Sequence, residues 1–364
     1  MRVKIALTMF LIAALAATPA FAGWQITMTT PGLHDVMAQA QAAKPDAGPL
    51  PDLSAFDTFT LWLDGTHSKF TVKDGWAWGY YDYDSESFGL GLDAAKAKEV
   101  LLAIAASAGK KPTEEEQAQF PMPDPPKQAV SGNVDQFLSA LGEALAPVVM
   151  MAQAAASNMT AEQRDKMKDQ MKIQQTNPAN DMSVKKRAES IPIAGCNTVG
   201  YDVSMQGHQV VTLWMCPAVN TDLIHEKSKK TNVKVGNFFK DLATKMSSGT
   251  GLSLPEGMFD FQKQQAVYDQ MKGFPFEVNM VDPNTGKTTT MFQVTEAKQM
   301  KIPPTEFAVP AGYKITNVKD AMTSLEALIA QQMMKARSEA QAPPSEEKKK
   351  SHGHTIVMEN NEVK

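Results

Sequence analysis

The feature that most constrains the fold is the segment 193–216, which holds both cysteines of the chain. Alternating residues run up to a polar, glycine-containing turn at 205–207, and a second alternating run follows, which is typical of a β-hairpin. A three-residue loop at this turn places Cys196 directly opposite Cys216, so the sequence predicts a cross-strand disulfide. A redox-active pair is the alternative, but such pairs usually lie two residues apart near the start of a helix.

The same register predicts that one face of the hairpin is apolar, as expected for strands that line a core. The disulfide would close a loop of ~20 residues and stabilise the fold by about 3 kcal/mol. The residues predicted on the apolar face are Val199, Tyr201, Val203, Val211, Leu213 and Met215.

The N-terminus predicts export. A basic start at Arg2 and Lys4, an apolar run and the sequence Ala-Phe-Ala at 20–22 are typical of a secretory signal peptide cleaved after Ala22. The apolar run is shorter than the ~20 residues of a membrane span, no later segment is expected to reach that length, and we expect no transmembrane span. Cleavage removes two cations and changes the net charge from −4 to −6.

We therefore expect a periplasmic or secreted protein, in an oxidising compartment where the cysteines can pair. A mildly acidic exported chain without basic clusters argues against nucleic acid as a partner.

The order of patterns along the chain predicts two groups of antiparallel strands. Runs at 56–63, 67–73 and 76–83 are separated by Asp-Gly pairs, a strong hairpin signal. Further strands are predicted at 23–30, 274–281, 287–296 and 307–315, and helices at 94–108, 133–157, 160–177, 222–246, 258–271 and 320–337. The expected regions are a signal peptide (1–22), an N-terminal part of the sheet (23–109), a proline-rich linker (110–132), a helical insert (133–189), a C-terminal part of the sheet with helices (190–317), a closing helix (318–338) and a disordered tail (339–364).

Three motifs in the C-terminal part carry a family resemblance. They are Gly195-Cys196 followed by Tyr201, Gly273-Phe274-Pro275, and the segment F-x-V-P-x-G-Y at 307–313. With these motifs the chain resembles the exported domain of unknown function numbered 4412, which is similar to the periplasmic carriers of outer-membrane lipoproteins. The resemblance implies an α+β fold, an incomplete antiparallel β-barrel (half-barrel) with helices covering the open side. It supplies no catalytic residues, and the long segment 110–189 departs from the family pattern.

Aromatic and aliphatic residues on the predicted strands could line a cavity for an acyl chain. Trp76, Trp78 and Tyr80 share one predicted strand face opposite smaller residues, a pattern typical of a sheet that curves around a cavity. Ordinary sheet core is the alternative interpretation. The predicted ligand-lining residues are Leu61, Leu63, Trp76, Trp78, Tyr80, Val211 and Leu213.

Other candidate sites have weaker patterns. Asp82, Asp84 and Glu86 alternate, but they lack the spacing and the sharp turn of a calcium loop, which favours a solvated strand edge. Histidine spacing predicts no metal site, and we found no motif for a nucleophile or a phosphate-binding loop. The amphipathic helix at 137–151 is expected either to pack on the sheet or to act as a lid.

The sequence thus predicts a non-catalytic exported binding protein, without a cofactor, for a lipid, a lipoprotein or another apolar ligand. The alternative is a structural or protein-interaction component of the cell envelope whose core leaves no cavity for a ligand.

Overall fold

The described part of the chain forms one open, mostly antiparallel β-sheet of twelve strands with helices, an α+β fold. A computed structural model describes residues 23–33, 52–107, 123–157, 182–250, 261–283 and 285–324, together with Asp35, Ala38, Thr113, Met159, Thr160 and Glu162. The predicted signal peptide, the predicted helix from 163 onward and the tail lie outside these residues.

The strands follow the order β12-β6-β5-β4-β3-β2-β1-β11-β10-β9-β8-β7 across the sheet. Among the strands of the described residues, only β12 and β6 pair in parallel. The strands are β1 (Gly23–Thr29), β2 (Thr58–Leu63), β3 (His67–Val72), β4 (Ala77–Asp82), β5 (Ser87–Asp93), β6 (Lys127–Asn133), β7 (Met182–Ile193), β8 (Cys196–Met205), β9 (His208–Cys216), β10 (Phe274–Val281), β11 (Thr288–Met300) and β12 (Lys314–Asn317).

The N-terminal hairpins form where the Asp-Gly pairs predicted them. At the second pair, Asp74 and Gly75 both have positive φ (61° and 65°), the conformation that this dipeptide tolerates. At the first pair, the Asp64 carboxylate accepts hydrogen bonds from the backbone N–H groups of Thr66 (2.9 Å) and His67 (2.8 Å). Asp side chains commonly hold turns in this way.

The predicted C-terminal boundaries of the linker (110–132) and of the helical insert (133–189) are wrong. The last residues of the predicted linker form β6, which pairs with β5, and the last residues of the predicted helical insert belong to β7. Strand β5 was missed, because its sequence SFGLGLD contains glycines that lower strand propensity. The two groups of strands meet where β1 pairs with β2 on one side and β11 on the other, so they form one sheet.

The disulfide between Cys196 and Cys216 is present, with 6.0 Å between the Cα atoms. The predicted register was nevertheless wrong. The loop has two residues, Gln206 and Gly207, both at positive φ, and a bulge near Val203 shifts the pairing further. Beyond the bulge the combined shift is two residues, so those side chains stay on their predicted face, because side-chain direction repeats every second residue. The predicted apolar face is therefore correct.

Four complete α-helices in the described part of the chain accompany the sheet: α1 (Ala94–Ser107), α2 (Val134–Ser157), α3 (Asp222–Thr250) and α4 (Phe261–Tyr268). Asn133 starts α2 with a reciprocal cap, since its side chain accepts from Gln136 N–H (2.9 Å) and its own N–H donates to the Gln136 side chain (3.1 Å). Residues 318–324 begin a further helix.

Helix α2 contains a segment, Val134–Met151, that is long and apolar enough to cross a membrane by length and composition alone. Its mean hydropathy is 1.3 over 18 residues, and 18% of it is buried. Core helices of soluble proteins can meet the same criteria, so this is weak evidence. The expectation that no later segment reaches membrane-spanning length was wrong.

The two faces of the sheet differ in character. One face, here the core face, carries the main apolar cluster, with Ile26, Leu63 and Phe276 fully buried, and residues of α4 pack into this cluster. The opposite face carries polar ladders such as Gln293–Glu277–Asn279–Thr290, joined by hydrogen bonds of 2.6–2.8 Å. Directly paired residues share a face, so the strand register assigns each side chain to one of the two.

The segment 301–313, here the strap, leaves β11 and crosses the polar face to reach β12 at the sheet edge. Three contacts hold it there. Glu306 forms an ion pair with the buried Lys69 (3.1 Å), Phe307 stacks on His67 (ring centroids 4.9 Å apart), and Tyr313 meets Trp78 edge-on (5.3 Å). The predicted strand at 307–315 was therefore wrong except at its end, since only 314–317 pairs with β6.

Candidate functional site

The candidate site is a part of the core face that the described helices leave uncovered. One row of paired residues crosses six neighbouring strands on this face, from the buried core to more exposed residues near the sheet edge. Leu61 is buried, Phe70 is half-buried, and Leu90 is 51% exposed. The row runs, strand by strand, through Ile26, Leu61, Phe70, Gly79, Leu90 and Val130.

Leu92, on the same face of β5, is 40% exposed and extends this apolar surface. Gly79 forms its floor, because a Cβ added there would overlap the ring of Phe70 and lie 2.8 Å from Leu90 Cδ2. The absence of a side chain thus lets two apolar groups from neighbouring strands meet over the backbone. We call Phe70, Leu90, Leu92 and Val130 the apolar patch.

Helices α2 and α3 border the patch at the end of β5 that is nearer the β4–β5 turn. Phe137 of α2 meets Phe88 of β5 edge-on, with 6.1 Å between ring centroids. From β4, the hydroxyl of Tyr81 lies 3.0 Å from that of Thr231 on α3. Phe88 and Tyr81 are a directly paired couple on the core face, so the two helices lie on the same side of the sheet as the patch.

Glu86, in the β4–β5 turn, ties both helices to the sheet. The Thr231 hydroxyl donates to it (3.0 Å), Lys234 forms an ion pair with it (2.5 Å) and a second with Asp135 of α2 (2.9 Å), and Lys230 lies 3.4 Å away. Burial raises the pKa of Glu86, but the hydrogen bonds from Lys234 and Thr231 outweigh it and keep the pKa below its usual value. The carboxylate is therefore charged at neutral pH.

The predicted ligand-lining residues do not lie on one surface. Leu61, Leu63, Val211 and Leu213 lie on the core face and belong to the packed apolar cluster. Trp78 and Tyr80 lie on the polar face, where their rings stack on each other. Sequence alternation placed residues correctly within each strand, but it did not show that β4 presents Trp78 and Tyr80 to the face opposite the one that carries Leu61 and Leu63 of β2.

The rings of Trp78 and Tyr80 lie flat over glycines of β5. A Cβ added at Gly91 would overlap the indole of Trp78, and one added at Gly89 would overlap the ring of Tyr80. The strap covers Trp78 from the other side through Tyr313, and Trp78 is 3% exposed. Trp78 is therefore packed between the sheet and the strap.

Trp76 lies apart from the other predicted residues, in a cleft of about 460 Å³ between α1 and the loops that precede β2 and β4. Its ring meets Phe56 edge-on at 5.4 Å, and Val100 and Ile104 of α1 supply further apolar lining. The rim carries three carboxylates and one ammonium group, a balance that disfavours an anionic ligand such as a fatty acid. These charged residues are Asp52, Asp74, Lys96 and Glu99.

The acidic residues considered for calcium are not on one strand face. Asp82 ends β4, whereas Asp84 and Glu86 lie in the turn that follows, where they pair with Lys227 and Lys234 of α3. Across the described ranges, no group of three or more His, Cys, Asp or Glu residues is placed to hold a metal ion. His34, His352 and His354 lie outside those ranges.

The patch itself was missed from the sequence. Two of the strands that form it, β5 with Leu90 and β6 with Val130, were not predicted from the sequence. In addition, the alternation of residues along a strand does not show which apolar side chains a helix leaves uncovered. The glycines at 79, 89 and 91 were the available signal, because glycine in a strand often marks a place where other groups approach the backbone closely.

Comparisons with known proteins identify no family. No family model matches the chain, and neither does any curated protein. Among solved structures the chain is similar to an uncharacterized conserved protein from Thermus thermophilus, with 7% identity over 86% of this chain and 99% of that one, at a TM-score of 0.32. It is also similar to PNGF-II in two crystal forms, C2 (7% identity, 84% of this chain, TM-score 0.30) and P21 (6%, 83%, 0.29). The match spans 33% of the PNGF-II chain, and similarities this low support no functional assignment.

Proposed function

We propose that this protein is an exported, non-catalytic protein that binds a lipid, a lipoprotein or another apolar ligand on the core face of its sheet. The observation that carries the proposal is the exposure of Leu90 (51%) and Leu92 (40%) on the face that elsewhere forms the apolar core. Uncovered apolar surface that continues a core is a usual mark of a ligand or partner site.

The chemistry of the patch favours an acyl chain or a similar apolar group. Its four side chains are hydrocarbon, so they offer contact area and no hydrogen bonds. Covering the exposed parts of the two leucines removes roughly 150 Å² of apolar surface from water, which is worth about 4 kcal/mol before the costs of association. Dispersion contacts with Phe70 and Val130 add to this.

The finer architecture and the compartment belong to the same proposal. The resemblance to the domain numbered 4412 implies a half-barrel whose open side the helices cover, and an open sheet with helices on its core face is compatible with this. The signal-peptide pattern at 1–22 supports a periplasmic location, and the cysteine pair fits an oxidising compartment.

A first experiment asks whether a ligand accompanies the protein. We expect native mass spectrometry of the full chain, exported in a bacterial host and purified without harsh detergent, to show bound lipid. A bare mass, under conditions in which a known lipid carrier keeps its lipid, would count against the proposal.

A second experiment locates the site. The double variant Leu90→Gln/Leu92→Gln should bind the apolar fluorescent probe N-phenyl-1-naphthylamine at least tenfold more weakly, since it loses most of the ~4 kcal/mol estimated above. The matched control is Ile315→Gln, which changes a residue of β12 that is 56% exposed and pairs with Ala129 on the polar face. Equal loss of binding in both variants would refute a site at the patch.

A structural or protein-interaction role in the envelope is the second candidate. Helix α2 favours it, because Met150 and Met151 near its end are 62% and 44% exposed and the segment Val134–Met151 has a mean hydropathy of 1.3. The variant Met150→Gln/Met151→Gln tests this role. If it no longer associates with membranes or partner proteins but binds the probe as the wild type does, α2 is an interaction surface separate from the patch.

A further inference from the structure

The short edge strand β12 presents two polar residues beside the apolar patch. Thr316 pairs with Val130 of the patch, so its side chain lies on the core face, and Lys314, two residues earlier, lies on the same face. Val318 continues this alternation, because a Cβ added at Gly132, two residues from Val130 on β6, would overlap its side chain. The patch therefore ends, at the sheet edge, beside a hydroxyl and an ammonium group.

The core face changes from hydrocarbon to polar along the direction that leads to this edge. Phe70 of β3 is half-buried and Leu90 of β5 is 51% exposed, and the half-buried Thr316 and the exposed Lys314 follow on β12. From β3 to β12 there are four strand spacings of roughly 4.8 Å, or about 19 Å in all. One layer of lipid chains fills half of a hydrocarbon core of ~30 Å, which is about 15 Å. An acyl chain that starts at Phe70 and follows this direction therefore has its polar end at β12.

Lys314 supplies a positive charge without a partner at this end. Within the described ranges its ammonium group forms neither an ion pair nor a hydrogen bond. At the helical border of the patch, by contrast, two carboxylates and two ammonium groups form one ion-pair cluster in which the charges cancel. Its members are Glu86, Asp135, Lys230 and Lys234. An unpaired cation next to hydrocarbon favours a negative group on a ligand, and it favours that group at the β12 end.

We propose that the ligand of the apolar patch is an anionic amphiphile, an acyl chain that ends in a carboxylate or a phosphate, and that Lys314 pairs with this end group. This pairing rests on the proposed function, because it needs a ligand on the patch. It also narrows that function, since a neutral lipid gains no charge interaction from Lys314. The hydroxyl of Thr316 can donate a hydrogen bond to the same anionic oxygen atoms.

Two probes with the same ring system test the pairing. N-Phenyl-1-naphthylamine is neutral, whereas 8-anilino-1-naphthalenesulfonate carries one sulfonate on the same rings. In the full chain with Lys314→Gln, we expect the sulfonate probe to bind about fivefold more weakly, the upper range for one exposed ion pair, and the neutral probe to change less than twofold. Lys314→Arg should keep the affinity for the sulfonate probe, and Lys314→Glu should weaken it further than Lys314→Gln.

The matched control is Lys127→Gln, which removes the same charge from the same edge of the sheet but on the polar face. There the Lys127 ammonium group lies 5.8 Å from the centroid of the Tyr313 ring. At an ionic strength of about 0.15 M, exposed charges more than ~8 Å apart are largely screened, so this variant should bind both probes within twofold of the wild type. An equal effect of Lys314→Gln on the two probes, or an equal loss of the sulfonate probe in both lysine variants, overturns the pairing.

The neutral probe separates this pairing from the proposed function. If the wild type binds it and Leu90→Gln/Leu92→Gln does not, the patch binds apolar ligands, and a sulfonate probe that is insensitive to Lys314 then overturns the pairing alone. If neither probe binds to the wild type, the proposed function fails and the pairing fails with it.

Competition for the neutral probe identifies the source of the anionic group. Dodecanoate in solution, below its micelle concentration, represents a free fatty acid, and vesicles of phosphatidylglycerol represent a membrane phospholipid. We expect dodecanoate to displace the probe from the wild type about fivefold better than from Lys314→Gln. Displacement by the vesicles alone, with the same dependence on Lys314, supports the pairing with a phospholipid as its source. Competition that does not depend on Lys314, or no competition by either, overturns the pairing.

Discussion

The packing of Trp78 over Gly91 makes a sharp prediction about stability. Substituting Gly91→Ala adds one methyl group beneath an indole that is 3% exposed and that Tyr313 of the strap covers from above. The ring cannot move outward without lifting the strap. We therefore expect the free energy of unfolding to fall.

Two limits bracket the size of this effect. Small shifts of side chains and backbone around an extra methyl group in a packed core cost about 1–3 kcal/mol. Complete expulsion of the indole would expose roughly 200 Å² of apolar surface and cost about 5 kcal/mol, so the protein should relax by shifting instead. The expected loss is about 2–3 kcal/mol, measured by urea unfolding of the full chain at equilibrium.

Gly142 provides a matched control, because the same substitution there should have the opposite sign. Gly142 lies inside α2, and a Cβ added to it would be 3.4 Å from Phe238 of α3, an ordinary contact distance. Alanine is favoured over glycine in a helix by up to ~1 kcal/mol, so Gly142→Ala should leave stability unchanged or raise it. If Gly91→Ala is as stable as the wild type, the tight packing of Trp78 between β5 and the strap is wrong.

Three further predictions concern single interactions. Replacing both Cys196 and Cys216 by alanine should lower the free energy of unfolding by about 3 kcal/mol, since the bridge closes a loop with a sequence separation of 20; reductant should destabilise the wild type but not this variant. Asn133→Ala removes the cap of α2 and should cost about 1 kcal/mol in the same assay, and a loss below about 0.3 kcal/mol would contradict the cap. The hydrogen bond that the His67 ring donates to the Asp64 carboxylate raises the pKa of His67 more than burial lowers it, so this pair should stabilise the fold fully below the unfolded pKa of about 6.5 and lose that effect as pH rises through the higher folded pKa. An NMR titration should show the raised pKa, and Asp64→Asn should lower it.

Local sequence signals predicted those parts of the fold that short-range chemistry determines. The Asp-Gly turns, the start of the helix predicted at 133–157 and the cysteine pairing all depend on residues close in sequence or on adjacent strands. The register error in the cysteine hairpin shows the limit of this reasoning. Gln206 and Gly207 can both adopt positive φ, which allows a two-residue loop, and nothing in the alternation distinguishes it from a three-residue loop followed by regular pairing.

Long-range pairing explains what could not be predicted. Strand β6 follows a run of prolines and pairs with β5, a strand rich in glycine, so neither has a strong strand signal by itself. Each is stabilised by its neighbours, and tertiary context overrides strand propensity in this way often. The strap was predicted as a strand because 307–315 has apolar alternation, but its apolar residues pack on the polar face across the strands.

The location of the candidate site follows from the same cause. Trp78 and Leu90 are both apolar residues on neighbouring strands, and the sequence gives no reason to prefer one over the other as ligand lining. Pairing with Gly91 places Trp78 on the face that the strap covers, whereas pairing with Gly79 places Leu90 on the face that the described helices leave open. One position in the register therefore decides whether an apolar residue is packing or binding surface. A ligand site on this sheet can be located only when both the strand order and the covering segments are known.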